Sequence, residues 1–169
     1  MTPEDLVLTP RGLRFKGRYF PVAVGRGGLS TAKREGDGAT PCGIHHIVHT
    51  LYRPDRLARP APWATPIRPG DLWSDDPSDP EYNRPIRAPH RFGHESLRRP
   101  DPLYDIVLVT DWNSPIATLG RGSAIFLHIW RKKCHPTEGC IALRRDHLLW
   151  AAARIAPGTR LFVPAPSSV

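Results

Sequence analysis

The chain has 169 residues, with 24 Lys plus Arg against 16 Asp plus Glu, a formal net charge of +8. Its 40% hydrophobic content excludes a disordered chain, and at this length roughly 70% of the unfolded surface can be buried without a disulfide scaffold. The 20 prolines and 14 glycines exclude a helical bundle, because Pro cannot sit inside helices and Gly weakens them.

The first 20 residues hold two early acids and no long apolar core, so no signal peptide is visible. Residues 6–25 read as a β-meander. Leu6–Leu8, Leu13–Phe15 and Tyr19–Val24 are separated by the turn-like stretches Thr9–Gly12 and Lys16–Arg18. Residues 26–43 are rich in Gly and charge and end on the turn Thr40-Pro41-Cys42-Gly43. Ile44–Tyr52 reads as a strand. Residues 53–102 hold 11 prolines, 9 basic and 8 acidic residues, and show no periodicity for a helix or a long strand. A segment this long is either functional or disordered. Trp63, Trp73, Tyr82, Phe92 and the Arg-rich stretch Asn83–Arg91 favour an ordered, packed excursion.

Two core strands follow, Tyr104–Thr110 and Ala124–Trp130, rich in β-branched and aromatic residues. Their longest apolar runs, such as Ile106–Val109, are far too short for a transmembrane helix. Asp146 reads as the N-cap of a helix over His147–Ile155, with Leu148, Leu149, Ala152 and Ile155 on one face. Pro157-Gly158 ends it, and Arg160–Val163 is a last strand. The expected fold is therefore mostly β with one C-terminal helix.

Three cysteines leave at least one thiol free or paired outside the chain. The most informative segment is Ser123–Leu143. His128 falls in a predicted core strand, and Cys140 lies 12 residues on, after a Pro-bearing turn. That separation accommodates a strand, a loop and a return into contact. A thiol that attacks acyl groups at neutral pH needs a base, and a His from a neighbouring strand supplies one. Gly139 directly before the Cys admits close approach of substrate and of backbone N–H groups to an oxyanion. The spacing alone fits equally a buried Cys acting as a small hydrophobe and a structural His.

The flanking residues carry more. His128 followed by Thr137, Gly139, Cys140 and Ile141 resembles the motif of the L,D-transpeptidase (YkuD-like) catalytic domain family. Glu138 stands where the family motif has His, and Ala142 where it often has Asn. Pro136–Leu143 instead resembles the branch reading Pro-Thr-x-Gly-Cys-(Val/Ile)-Ala-Leu. Arg34–Pro41, Tyr82–Pro85, Tyr104-Asp105 and Gly120–His128 follow the family order, so the resemblance runs from about residue 22 to residue 163. It implies a YkuD-like sandwich or barrel-like single domain over residues 1–169. Residues 53–102 would then be a Pro-rich insertion covering the cleft. It also implies an enzyme in which Cys140 attacks the diaminopimelate carbonyl of a donor stem tetrapeptide and D-Ala leaves. An acceptor amine then resolves the thioester, giving a 3→3 or 1→3 cross-link. His128 is the implied base, with Gly139 and Cys140 N–H groups as the oxyanion hole. No cofactor is implied, the expected state is a monomer, and the substrate lies in the cell envelope or periplasm. With no export signal visible, a cytoplasmic substrate is the alternative.

Asn83, Arg84, Arg121, Ser123, Thr137 and Arg144 are the candidate substrate-binding residues. Arg in particular suits the free carboxylates of peptide stems. All but Thr137 have a plainer reading: loop packing for Asn83 and Arg84, a turn cap or strand support for Ser123, a solvated basic face for Arg121 and Arg144. Six basic residues and one acid lie between Arg121 and Arg145, and this surround is expected to lower the Cys140 pKa. Cys42-x-x-His45-His46-x-x-His49 offers metal-ligand types, but on a strand the spacing of His45 and His49 does not converge, and no CxxC pair supports zinc. No metal is expected. Cys42 and Cys134 either pair, if the protein is exported, or stay free. Two other functions remain open from sequence: a cysteine carboxypeptidase or endopeptidase on the same bond, and a non-catalytic basic peptidoglycan-binding module. The Arg residues are dispersed among Pro and acids, and no nucleic-acid motif occurs, so nucleic acid is not an expected partner.

Overall fold

Strands β1 (Leu6–Thr9), β2 (Gly12–Phe15) and β3 (Arg18–Phe20) form the expected meander in the computed structural model, which describes residues 1–166. The chain then makes β4 (Val22–Ala23), the short parallel pair β5 (Leu29–Ser30) and β6 (Thr40–Pro41), and the ten-residue β7 (Gly43–Tyr52). Four short strands follow in the Pro-rich segment: β8 (Thr65–Pro66), β9 (Asp71–Ser74), β10 (Pro85–Arg87) and β11 (His94–Ser96). β12 (Ile106–Thr110), β13 (Phe126–Ile129), β14 (Ile141–Leu143), helix α1 (Arg145–Ala152) and β15 (Arg160–Val163) complete the order.

The main sheet runs β3-β2-β1-β15-β7-β12-β13-β14-β4, with β8 alongside β7. Its two edges, β3 and β4, are separated in the chain only by Pro21. One residue cannot span an open sheet of this width, because strands lie about 4.8 Å apart. The sheet therefore curls until its edges meet, and the result is barrel-like.

Side-chain alternation sorts the interior into two clusters. Ile106, Leu108, Leu127, Ile129, Ile141 and Leu143 join Leu6, Leu13 and Phe15 in the main core, which Leu148 and Ala152 of α1 cover. Val107, Val109, Phe126 and Cys140 face the other way, against Trp73, Leu97 and Tyr104. β12 and β13 are covered on both faces, which is why their sequences are continuously apolar.

The Pro-rich segment is ordered, and more regular than its sequence implies. β10-β9-β11 form a separate antiparallel sheet, and Trp73 of β9 packs edge-on against Phe126 with ring centroids 5.0 Å apart. Its near-balanced charge is spent locally: Arg53 pairs with Asp55, Arg99 with Asp101 and Arg87 with Asp71. The helix corrects the sequence reading. It starts at Arg145, two residues early, and its N-cap Arg144 makes no side-chain capping bond. Asp146 lies in the first turn and takes the Arg144 guanidinium, where its charge still suits the helix N-terminus. It also ends at Ala152 instead of Ile155, and its buried face is Leu148, Ala151 and Ala152.

Leu108 is fully buried at the centre of β12. Leu108→Ala is expected to cost about 2–5 kcal/mol in urea unfolding, through lost transfer energy and a cavity. A loss under about 1 kcal/mol would contradict this packing.

Candidate active site

Two adjacent parallel strands place the central pair. Leu127 of β13 lies opposite Ile141 of β14, and His128 opposite Ala142. Alternation sends Leu127 and Ile141 into the main core. Phe126, His128, Cys140 and Ala142 are thereby turned to the other face, and His128, Cys140 and Ala142 line one cavity of about 400 Å³.

Cys140 is 9% exposed. Its thiol donates to the Ala124 carbonyl at 3.0 Å, and its sulfur accepts the Phe126 N–H at 3.3 Å. Among the described residues no hydrogen bond joins it to His128; the S–H is turned to Ala124. The His128 ring is held by Nδ1, 2.8 Å from the Ile129 carbonyl. A carbonyl can only accept, so the proton sits on Nδ1 and the Nε2 lone pair is free. Tyr104 meets the ring edge-on at 5.3 Å.

The turn before Cys140 is fixed by its own residues. Thr137 Oγ1 donates to the Cys140 carbonyl at 2.5 Å and accepts the Gly139 N–H at 3.2 Å. Gly139 has φ +136°, and a Cβ there would lie 2.8 Å from the Ala39 carbonyl oxygen. Only glycine fits both the dihedral and the space. The Thr40 hydroxyl then fastens the Gly139 carbonyl at 2.8 Å.

Burial sets the electrostatics. It pushes the Cys140 thiol up to about 12, reinforced by the charge of Glu95 and opposed by the Phe126 N–H and Lys33. It pushes His128 down to about 4, with the Ile129 carbonyl working against it. At neutral pH the pair is therefore thiol and neutral imidazole. This overturns the expectation that basic residues between Arg121 and Arg145 lower the Cys140 pKa. Several of them point elsewhere, and desolvation dominates.

The other sequence candidates divide. Thr137 lines the Cys140 cavity. Asn83 is buried and bonded on all sides: its Oδ1 accepts from Trp73 Nε1 and Ala124 N, and its Nδ2 donates to the Trp112 and Asn113 carbonyls. It supports Ala124, the residue whose carbonyl holds the thiol. Ser123 donates to Glu35, which also takes the Tyr82 hydroxyl. Arg121 stacks on Trp112 with 4.6 Å to the ring centroid. Arg84 is exposed and reaches Glu81 at 3.4 Å, and Arg144 holds Asp146. None of these three lines the cavity of Cys140. Its polar wall is instead Glu95, Arg99, Tyr104, Arg131 and His135, with Glu138 at the rim. Of these, Tyr104 belongs to the Tyr104-Asp105 motif; Glu95 and Arg99 sit in the Pro-rich segment, where no pattern points to them. All three cysteines are free.

The chain matches the family model of the L,D-transpeptidase catalytic domain, YkuD, over residues 7–163. No curated protein matches. Among solved structures it is similar to an L,D-transpeptidase from Mycobacterium smegmatis, at 14% identity and TM-score 0.44. That likeness covers 95% of this chain and 57% of the other, so the chain spans little more than half of its length.

The depressed His128 gives a pH signature. An unfolded His takes its proton near 6.5, whereas the folded residue stays neutral to about 4. The unfolded state binds more protons in that window, so stability rises with pH across it, by up to about 3 kcal/mol from this residue. Urea unfolding from about pH 4.5 to 7 is expected to show a flatter pH slope for His128→Gln than for wild type. Equal slopes would contradict a buried neutral His128.

Proposed function

The chain belongs to the L,D-transpeptidase catalytic domain family, and from that premise we propose that it is a cysteine L,D-transpeptidase acting on peptidoglycan stem peptides. The observation that carries the residue assignment is the Cys140–His128 face: two side chains from paired parallel strands in one cavity, with Nδ1 tied down and Nε2 free. In this reading residues 1–169 act as one catalytic domain that needs no cofactor and works as a monomer in the cell envelope. Among the described residues no helix is long and apolar enough to cross a membrane.

Because both groups are neutral, proton transfer accompanies attack instead of preceding it. The thiol turns from the Ala124 carbonyl, gives its proton to His128 Nε2, and sulfur attacks the diaminopimelate carbonyl of the donor tetrapeptide. The Ile129 carbonyl stabilises the imidazolium that forms. The Cys140 backbone N–H takes the oxyanion, joined by the Gly139 N–H once that leaves Thr137 Oγ1. His128 then protonates the departing D-Ala amine, leaving a thioester on Cys140. An acceptor amine resolves it to a 3→3 or 1→3 cross-link. Arg131, exposed at the cavity wall, is placed to meet a stem carboxylate. The Pro-rich segment lends Glu95 and Arg99 to the cavity wall, which supports a cleft-covering role for residues 53–102.

Purified disaccharide-tetrapeptide incubated with the protein is expected to yield dimers and free D-Ala by mass. Cys140→Ala is expected to lower the yield by at least about 1,000-fold. Tripeptide without dimers would make the enzyme a hydrolase. No change with wild type would overturn both enzymatic readings.

A further inference from the structure

Glu95 stands in the cavity of Cys140 and His128 without a cation of its own. One carboxylate oxygen accepts the Tyr104 hydroxyl at 2.5 Å, and among the described residues Glu95 makes no ion pair. Arg99, whose charge is felt at Glu95, is engaged elsewhere, and Arg131 on the same cavity wall makes no ion pair with it. Arg99 forks onto Asp101 at 2.9 and 2.7 Å and lays its guanidinium over the Tyr104 ring. The second acid of the cavity, Glu138, is exposed and already holds Arg26 at 2.9 Å.

This placement is costly twice. A carboxylate taken out of water without a partner charge is destabilising. Its negative charge also opposes ionisation of Cys140. That second cost falls only on the thiolate, since the resting thiol and the thioester are both uncharged. The first cost persists until a cation arrives beside Glu95. In transpeptidation that cation is the acceptor.

We propose that Glu95 is the ammonium-binding group of the acceptor subsite, receiving the primary ammonium of the incoming stem beside the thioester on Cys140. The inference rests on the transpeptidase reading above. Tyr104 fixes one oxygen of the carboxylate and leaves the other for the ligand. The bound ammonium gives one proton to His128 Nε2, and the freed amine attacks the thioester carbonyl. The C–N bond forms and the C–S bond breaks. His128 returns its proton to sulfur, and the second ammonium proton leaves to solvent. An amide, a neutral thiol and one proton result.

The test uses disaccharide-tetrapeptide as both donor and acceptor, with wild type, Glu95→Gln and Glu95→Asp. Glu95→Gln can keep the Tyr104 bond but loses the charge. Its dimer-to-tripeptide ratio is expected to fall about 10-fold, the size of one charge-assisted hydrogen bond. Acyl-enzyme formation is expected to be retained, and iodoacetamide alkylation of Cys140 to speed up several-fold. Glu95→Asp is expected to restore part of the ratio. An unchanged ratio overturns the proposal. So does a parallel fall in acylation and dimers, which would mark a donor contact or a purely structural role. Wild type that forms only tripeptide also overturns it. Wild type that forms neither product removes the transpeptidase reading itself, and the alkylation rates still report whether Glu95 acts on the thiol.

Discussion

The parallel pairing of β13 with β14 is the constraint on which the site depends. It places His128 opposite Ala142 and, through the two-residue period, turns Cys140 to the same face as His128. The rest of the fold makes that pairing obligatory. Pro21 joins the two edge strands, so the sheet closes and β14 is held between β13 and β4. Leu127, Ile129, Ile141 and Leu143 anchor the opposite face in the main core, so a one-residue slip would expose four buried apolar side chains.

Around this pairing, small polar residues set direction. Asn83 grips Ala124, whose carbonyl receives the thiol; Thr137 and Thr40 lock the turn that ends at Cys140. Ala124 sits at φ +51° and Asn83 at φ +60°, in a region that costs a non-glycine residue of order 1–3 kcal/mol. Two such residues joined by a hydrogen bond beside the thiol are a local strain that the well-packed sheet can carry. The Pro-rich segment contributes Trp73 as a packing wall and Asn83 as a support.

Desolvation, not net charge, governs the pair. The chain carries +8, yet the two largest influences on Cys140 are the loss of water and the half-buried Glu95 carboxylate. Much of this was legible in the sequence. Continuous runs of β-branched, aromatic and other apolar residues mark β12 and β13, and Thr137-x-Gly139-Cys140 marks the turn, because residue type and glycine geometry are local properties. Asp146 is a good cap by type, yet the helix begins at Arg145 and Asp146 lies in its first turn. Arg121 and Arg144 looked like substrate ligands because sequence shows proximity in the chain; in space Trp112 and Asp146 hold them. Glu95 was invisible because its meaning is its position opposite Trp73 in a three-residue strand, which no periodicity announces.

The central claim is that Cys140, with its proton taken by His128, is the nucleophile. Acid-quenched mass spectrometry of the protein mixed with a tetrapeptide donor whose free amines are acetylated tests it most directly. The expected result is a hydroxylamine-labile acyl adduct, less D-Ala, on the peptide carrying Cys140, and a much slower adduct in His128→Gln. No adduct, or one on Cys42 or Cys134 instead, would contradict the account.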